Sequence, residues 1–381
     1  MTGKIQPTLL TAYSAKDSDD LKKAQTNKVA QLFSDFVGKA QQSIHIAIYD
    51  FRLSEPEGHV VIDALSNAAQ SGIDVRVAYF QPDPKKKRKS SADFSPDGGD
   101  PAPDPDKDFR KRFHKDVQFK PIQGIDINNL PPDERLPIEG GGHLMHSKYI
   151  IRDGLAVWMG SANFTTDAWS IQDNNIVILE SQDIADNYET DFAELWEAER
   201  IAGTGKNDHG ETNIDEVDVE VDFAPGDGAA MDQCIANQIS TANSEVLLAS
   251  MVISSGAVLG ALVDAIERGV NVWGIYDGPE MNNVIKDWGK SKYGTGDAKI
   301  AQWNVVKNNL VAKHSTPYSE GGHHDFMHNK VLVVDQQTVV TGSYNFSQNA
   351  THNAENMITL YDNGIAAEYE EYIKGLVSKY S

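Results

Sequence analysis

The feature that most limits how this 381-residue chain can fold is an internal repeat. The first copy runs His146-Ser147-Lys148, Asp153 and Gly160-Ser161-Ala162-Asn163-Phe164, and the second runs His328-Asn329-Lys330, Asp335 and Gly342-Ser343-Tyr344-Asn345-Phe346. Counterparts lie 182 positions apart without a gap, and the same offset pairs Asp173 with Glu355. A repeat in which so many polar residues recur at equal spacing predicts two copies of one structural unit.

Apolar segments around the repeats predict the architecture of each unit. Strands are predicted at 43–49 and 244–250, helices at 60–69 and 257–266, and further strands at 75–79 and 270–275. Strand, helix and strand in this order favour right-handed crossovers and a mainly parallel sheet with helices on its faces. We therefore expect an α/β fold that is bilobal, with two similar units related by a pseudo-two-fold axis.

Composition marks the expected boundaries of these units. The first unit is predicted at 1–200, an acidic linker at 201–220, and the second unit at 221–381, opening with a strand near Val217. The proline-rich stretch 82–140 is predicted to be an irregular insertion without packed elements. Its basic run at 85–89 and the cluster Arg110, Lys111 and Arg112 leave two interpretations open, a solvated loop or a lid that meets substrate phosphates.

Charge and composition exclude several classes of protein. With 34 basic and 56 acidic residues the net charge is −22, which disfavours non-specific binding to duplex nucleic acid. The single cysteine, Cys234, cannot form an intrachain disulfide, and no apolar run is long enough to cross a bilayer. The first residues lack an apolar stretch of signal-peptide type, so we expect a soluble chain that is either cytoplasmic or secreted and already trimmed.

The repeated side chains have the chemistry of a phosphoryl-transfer site. In a strand, the histidine and the lysine of each motif project from one face, where an imidazole and an ammonium suit an oxyanion. The Gly-Ser-x-Asn turn adds a hydroxyl and an amide that can donate to phosphate oxygens. Two such halves would place two histidines on opposite sides of one phosphorus. The candidate residues are His146, Lys148, Ser161 and Asn163 in the first copy and His328, Lys330, Ser343 and Asn345 in the second.

Four repeated carboxylates receive supporting roles. Asp173 and Glu355 are predicted to accept a ring N–H from a histidine and so fix its tautomer. Asp153 and Asp335 follow apolar strands and are predicted to brace the next turn. The two lysines offset the charge of the transition state, which removes the need for a divalent ion. We expect no metal site and no cofactor, because the histidine spacing fits no standard zinc pattern.

The doubled pattern H-x-K-x4-D followed by G-S-x-N resembles the phospholipase D superfamily. The resemblance covers the catalytic parts of both halves. It implies a bilobal fold and a metal-independent phosphodiesterase that acts through a covalent phosphohistidine. By the same resemblance, His146 is the nucleophile and His328 is first the general acid and then the general base.

Three functions remain open at this point. The leading hypothesis is hydrolysis of phospholipid head groups, with transfer of the phosphatidyl group to an alcohol through the same intermediate. The expected partner is a phospholipid at a membrane surface, and the chain is expected to be monomeric because two copies complete one site. The alternative is a nuclease acting on single-stranded nucleic acid, since Asn353-Ala354-Glu355-Asn356 resembles the nuclease-like branch and the insertion carries basic runs. The third is a binding scaffold without catalysis.

Overall fold

The computed structural model describes residues 4–13, 17–81, 107–124, 144–206, 208–290, 295–317 and 324–381. The elements of the first half are β1 (Lys4–Leu10), α1 (Asp19–Gly38), β2 (Ser43–Ile48), β3 (Phe51–Arg52), α2 (Glu57–Gln70), β4 (Asp74–Gln81), α3 (Lys107–Arg110), β5 (Gln118–Gln123), β6 (Lys148–Arg152), β7 (Ala156–Gly160), β8 (Phe164–Thr165), α4 (Thr166–Ser170), β9 (Asn174–Glu180) and α5 (Gln182–Ala198). Those of the second half are β10 (Gly210–Ile214), β11 (Val217–Ala224), α6 (Gly228–Thr241), β12 (Glu245–Ser250), α7 (Gly256–Glu267), β13 (Asn271–Asp277), α8 (Gly278–Trp288), α9 (Thr295–Val306), β14 (Leu310–Lys313), β15 (Lys330–Val334), β16 (Thr338–Gly342), β17 (Glu355–Tyr361) and α10 (Asn363–Tyr380).

Each half of the chain builds one large sheet, and the two sheets have the same strand order. Within the described residues the first sheet runs β1-β9-β7-β6-β2-β4-β5 and the second runs β10-β11-β17-β16-β15-β12-β13-β14. Every strand of the first sheet therefore has a counterpart in the second, and β10 is an addition at one edge. The α/β class and the two similar units expected from the repeat are confirmed.

The sheets are mixed, which corrects the expectation of mainly parallel strands. The neighbours β2, β4 and β5 are parallel, as are β12, β13 and β14, but the remaining pairs of the two large sheets are antiparallel. For the pairs β6–β7 and β15–β16 the reason lies in the short connection after each repeated motif. Asp153 and Gly154 have φ of 58° and 61°, and Asp335 and Gln336 have φ of 50° and 56°. Two successive positive φ values form a tight hairpin turn, and a hairpin joins only antiparallel strands.

The core lies between the two sheets and on their outer faces. Tyr149 and Ile151 of β6 share one apolar cluster with Val331 and Val333 of β15, and this cluster includes α5 and α10. The alternate residue Ile150 packs instead with α1 and α2 on the other face of the first sheet. This period of two is the side-chain alternation of a strand. Helices α5 and α10 thus lie between the facing sheets, and the remaining long helices cover the outer faces.

Two predicted boundaries are corrected by the strands. Residues 107–124 of the supposed irregular insertion are packed, since β5 pairs with β4 and the side chains of Phe109, Phe113 and Ile122 are buried. Residues 82–106 and 125–143, including the basic run at 85–89, lie outside the described residues. Strand β10 begins at Gly210, inside the supposed linker 201–220, and pairs with β11. The expected strand near Val217 is β11.

Candidate active site

The two His-x-Lys motifs occupy the same place in their sheets, with the histidine two residues before β6 or β15 and the lysine as the first residue of that strand. The N–H of His146 donates to the carbonyl of Ala354 at 2.8 Å, and the N–H of His328 donates to the carbonyl of Asp173 at 3.0 Å. Each motif is therefore hydrogen-bonded to residues at the start of the last strand in the opposite unit. His146 and His328 are 2% and 4% exposed. The fold brings both motifs to one buried site at the junction of the two units.

Each histidine ring is held at Nδ1 by a residue of the other unit, but the two partners differ. His146 Nδ1 lies 2.8 Å from Oε2 of Glu355, and His328 Nδ1 lies 2.9 Å from Oδ1 of Asn174. Asn174 Nδ2 donates to Ala168 O and Gln172 Oε1, which fixes its amide so that Oδ1 faces the ring. Because both partners present an acceptor, each ring carries its proton on Nδ1, and Nε2 is the nitrogen left for chemistry.

The structure corrects the predicted role of Asp173. Its Oδ1 accepts from the N–H of Ala12 at 2.7 Å, and its Oδ2 accepts from Lys313 Nζ at 2.7 Å, so its carboxylate does not orient a histidine. The constant offset of 182 ends before this point, because β9 begins at Asn174 and β17 at Glu355, an offset of 181. One residue fewer in the second copy makes Asn174 the counterpart of Glu355 and Asp173 the counterpart of Ala354.

Glycines at the repeated turns let the strands approach closely enough to build this site. Gly160 and Gly342 have φ of 146° and 156°. A Cβ at Gly160 would lie 2.3 Å from the carbonyl oxygen of Asn175, and one at Gly342 would lie 2.2 Å from that of Asn356. Any larger residue would push β7 from β9, or β16 from β17. The glycine of each motif is thus required for the position of the orienting residue.

The serines of the repeated turns act on the orienting residues. Ser161 Oγ donates to Asn174 Oδ1 at 2.8 Å, and Ser343 Oγ donates to Glu355 Oε2 at 2.6 Å. Each hydroxyl also accepts the N–H of the residue that follows its partner, Asn175 or Asn356. The sequence suggested these two hydroxyls as donors to phosphate. In the structure they are hydrogen-bonded to the residues that orient the histidines, and they hold those residues in place.

The asparagines of the same turns are placed differently. The side chains of Asn163 and Asn345 are 6% and 2% exposed, and the Oδ1 atom of each has no hydrogen-bond partner among the described residues. Buried amide oxygens normally have a partner. The two amides are therefore the polar groups of the repeated turns that remain for a ligand.

Lys148 and Lys330 are buried beside the histidines and donate to the carbonyls of His146 and His328 at 2.5 and 2.6 Å. Burial lowers the pKa of Lys148 to about 7, although Glu355 and Asp50 oppose the shift. Burial and the charge of Lys148 lower the pKa of Lys330 well below its usual range. The ammonium groups of Lys148 and Lys330 therefore repel one another, and an anionic ligand beside them would raise both pKa values.

The same charges act on the histidines and on Glu355. Burial, Lys148 and Lys330 lower the pKa of His146 well below its usual range, and burial, Lys330 and Lys148 do the same for His328. Burial raises the pKa of Glu355 to about 7, against the charge of Lys148. Both imidazoles are consequently neutral at pH 7, and each has an unprotonated Nε2.

Asp153 and Asp335 lie at the opposite end of the strands from the histidines. Asp153 Oδ1 accepts from the N–H groups of Gln42 and Ser43 at 2.6 and 2.9 Å. Asp335 Oδ1 accepts from those of Ser244 and Glu245 at 2.8 and 2.9 Å. Each carboxylate thus ties its hairpin turn to the start of β2 or β12, which is the bracing role predicted from the sequence.

Three residues of the site were not identified from the sequence. Asn353 Nδ2 donates to Glu355 Oε1 at 3.1 Å, and Asn174 orients His328. Asp50, 3% exposed, follows β2 and acts electrostatically on Lys148. Asn174 and Asn353 lie close to the repeated carboxylates in the sequence. An alignment of the two copies with a one-residue gap would have identified Asn174 as the counterpart of Glu355. Asp50 has no counterpart in the repeat, since Val252 takes its place.

None of the helices in the described ranges is both long and apolar enough to cross a bilayer.

Comparison with known proteins places the chain in a family. A family model described as "Cardiolipin synthase, PLD-like domain" matches residues 34–196 and 235–377. The chain is 28% identical over 151 residues to a phospholipase D of Rickettsia bellii (strain RML369-C), which covers 39% of this chain and 63% of that protein. It is 29% identical over 92 residues to a mitochondrial cardiolipin hydrolase of Xenopus laevis, covering 22% and 44%. The chain thus spans less than two thirds of the length of these relatives.

A solved structure supports the fold over nearly the whole chain. The phosphatidylserine synthase of Haemophilus influenzae Rd KW20 superposes with a TM-score of 0.58 at 13% identity, covering 91% of this chain and 83% of the other. The family match spans both units and includes both His-x-Lys motifs. The resemblance inferred from the motifs is confirmed: the chain belongs to the phospholipase D-like family described as cardiolipin synthase, PLD-like domain.

Proposed function

We propose that the protein is a phosphodiesterase that hydrolyses phospholipid head groups through a phosphohistidine on His146, and that it transfers the phosphatidyl group to alcohols through the same intermediate. One observation carries the proposal. Two buried histidines of opposite units present Nε2 at one site beside two lysines, and the carboxylate Glu355 is held on the Nδ1 of His146 alone.

The difference between the orienting residues supports distinct roles for the histidines. As Nε2 of His146 attacks phosphorus, positive charge develops on the ring, and the carboxylate of Glu355 stabilises it. Asn174 offers His328 a neutral acceptor, which fixes the ring without favouring its charged form. His328 is then the stronger acid of the two once it is protonated, which suits donation to a leaving oxygen.

His328 takes up the proton that it requires from solvent when the substrate binds. A bound phosphodiester adds negative charge between Lys148 and Lys330, and this raises the pKa values of the neighbouring groups. In the first step the bond between His146 Nε2 and phosphorus forms, the bond to the head-group oxygen breaks, and His328 Nε2–H protonates that oxygen. In the second step His328 removes a proton from water or an alcohol, which attacks phosphorus and releases His146.

The proposed substrate is a phospholipid at a membrane surface. The names of the matched relatives, phospholipase D and mitochondrial cardiolipin hydrolase, and the family description all refer to phospholipids. The net charge of −22 disfavours a polyanionic strand. The arginines suggested for nucleic acid have structural contacts, since Arg110 lies over the ring of Tyr79 at 4.7 Å and Arg112 pairs with Glu55.

The test is a turnover assay, with chelator present, on phosphatidylcholine vesicles and on single-stranded DNA. His146→Ala is the inactive variant. His45→Ala is the matched control, because His45 Nδ1 pairs with Glu189 at 2.7 Å away from the site. We expect choline release from vesicles, transfer to added ethanol, and loss of both in His146→Ala alone. Cleavage of DNA without choline release would replace the lipid function with that of a nuclease, and activity that survives in His146→Ala would exclude the site.

A further inference from the structure

An ion pair lies one residue from the site and is fully buried. Lys313, the last residue of β14, places Nζ 2.7 Å from Oδ2 of Asp173, and the two side chains are 4% and 0% exposed. Tyr380 of the C-terminal helix donates its hydroxyl to the same carboxylate oxygen at 3.0 Å. The other oxygen accepts the N–H of Ala12. A charge pair so completely removed from water and so fully hydrogen-bonded holds its neighbours in one geometry.

The pair fixes the backbone that leads into His328. Lys313 Nζ donates to the carbonyl of Phe326 at 3.1 Å, and the N–H of Asp173 donates to the same carbonyl at 3.1 Å. The carbonyl of Asp173 accepts the N–H of His328, and the next side chain, Asn174, holds the His328 ring. Backbone and ring of His328 are therefore held by two adjacent residues, and the first of them is anchored by Lys313.

Within the described ranges, such a pair exists in only one of the two halves. In the other half the backbone pattern is the same, with Ala354 bonded to Leu144 and His146, but Ala354 has no charged side chain. His146 instead has the charged contact directly on its ring, through Glu355. His328, whose ring has no carboxylate partner, is thus the histidine whose backbone is held by the buried ion pair.

We propose that Asp173 and Lys313 are a positioning pair that holds His328 in the orientation from which it exchanges a proton with the leaving group. The inference rests on the proposed function. The pair contributes no net charge, so it immobilises His328 while leaving the ring with a neutral partner. A carboxylate on the ring would immobilise it equally well but would favour the charged form and weaken the acid.

The test compares Lys313→Met with the parent on two lipids that form the same phosphatidyl intermediate, phosphatidylcholine and phosphatidyl-p-nitrophenol, in vesicles of one composition. Nitrophenolate leaves without a proton donor, whereas the choline oxygen requires one. We expect the first-turnover rate to fall about 10²-fold on phosphatidylcholine and less than about threefold on the nitrophenyl lipid. An equal loss on both lipids, or no loss on either, would overturn the positioning role.

Two variants separate positioning from stability. Lys120→Met is the matched control, since Lys120 lies on β5, the counterpart of β14, and donates to Trp196 O at 2.8 Å away from either histidine. It should leave both rates unchanged. The double variant Asp173→Asn with Lys313→Met leaves no uncompensated buried charge. Its melting temperature should therefore recover most of what Lys313→Met alone loses. The rate of this double variant on phosphatidylcholine should stay low. If that rate recovers together with the melting temperature, the pair stabilises the fold and does not position His328.

A measurement without turnover distinguishes failure of this inference from failure of the proposed function. The Nδ1–H of His328 is shielded by its contact with Asn174, and nitrogen-15 NMR detects it as a slowly exchanging signal that His328→Asn assigns. We expect the signal in the parent and in Lys120→Met, and its loss in Lys313→Met. If the parent cleaves neither lipid, the proposed function fails, and an unchanged signal in Lys313→Met independently refutes the positioning pair.

Discussion

His146 and Glu355 are separated by 209 residues along the chain, yet Nδ1 of the one lies 2.8 Å from Oε2 of the other. The residue that orients each histidine comes from the opposite unit, and so does the serine that orients that residue. Neither unit therefore contains a complete histidine site of its own. Duplication of the unit produced a site in which each half depends on the other.

Replacing the two histidines should give different defects. His146→Asn removes the proposed nucleophile, so no phosphoenzyme should form. His328→Asn retains the nucleophile but slows both steps by about 10² to 10⁴, through loss of the acid and base. Rapid quenching with a phosphorus-labelled lipid, followed by alkaline gel analysis, measures the covalent species. Equal labelling of the two variants would contradict the assignment of His146.

Glu355→Gln should slow formation of the phosphoenzyme while leaving substrate binding nearly unchanged. The amide cannot stabilise the positive charge that develops on His146, and we expect a loss of about 10² to 10⁴ in kcat with a small change in KM. Steady-state kinetics on vesicles checks this. Glu189→Gln, at the partner of His45, is the control and should have no effect on kcat. A change in KM alone would show that Glu355 binds substrate instead.

Asn174→Asp should shift the pH dependence of the first step. A carboxylate on Nδ1 favours the charged form of His328, so its pKa rises and the alkaline limb should move upward by about one pH unit. The variant also loses donation to Ala168 and Gln172, at a cost of about 1–3 kcal/mol in the free energy of unfolding. First-turnover rates between pH 5 and 9, which is roughly the range of a titrating histidine, provide the test. A downward shift of that limb would be incompatible with His328 as the acid.

Asp335→Ala should destabilise the fold without altering the chemistry. Partial burial raises the pKa of Asp335, but the N–H groups of Asn243, Glu245 and Ser244 outweigh it and hold the pKa at about 2. Since the folded pKa lies below the unfolded value, this stabilisation is present above about pH 4 and disappears as the pH falls towards 2. With solvent screening we expect a loss of about 1 kcal/mol at pH 7.

Denaturant unfolding of Asp335→Ala and of the parent at pH 7 and pH 2 measures that loss. The two proteins should converge at the lower pH. Asp153→Ala, at the equivalent turn of the first unit, should also destabilise the fold at pH 7, because the same kind of backbone contacts is lost. A fall in kcat for well-folded Asp335→Ala would give this residue a direct part in the reaction.

The sequence alone determined the α/β class, the two similar units and the identity of both His-Lys pairs. It could do so because a repeated run such as His-x-Lys followed by Gly-Ser-x-Asn has few physical explanations other than a duplicated site. Local patterns also placed β2, β12, α2 and α7 within a few residues of their observed bounds. The turn aspartates followed from their position after buried strands.

Only the tertiary structure decided which residues act on the histidines. The ungapped offset paired Asp173 with Glu355, but the start of a strand is fixed by its hydrogen bonds to neighbours, and these make Asn174 the structural equivalent of Glu355. A shift of one residue turns a side chain to the other face of a strand. That shift moves Asp173 away from His328 and onto Lys313. Contacts between distant segments are set by packing of the two sheets, and no local pattern in the chain records them.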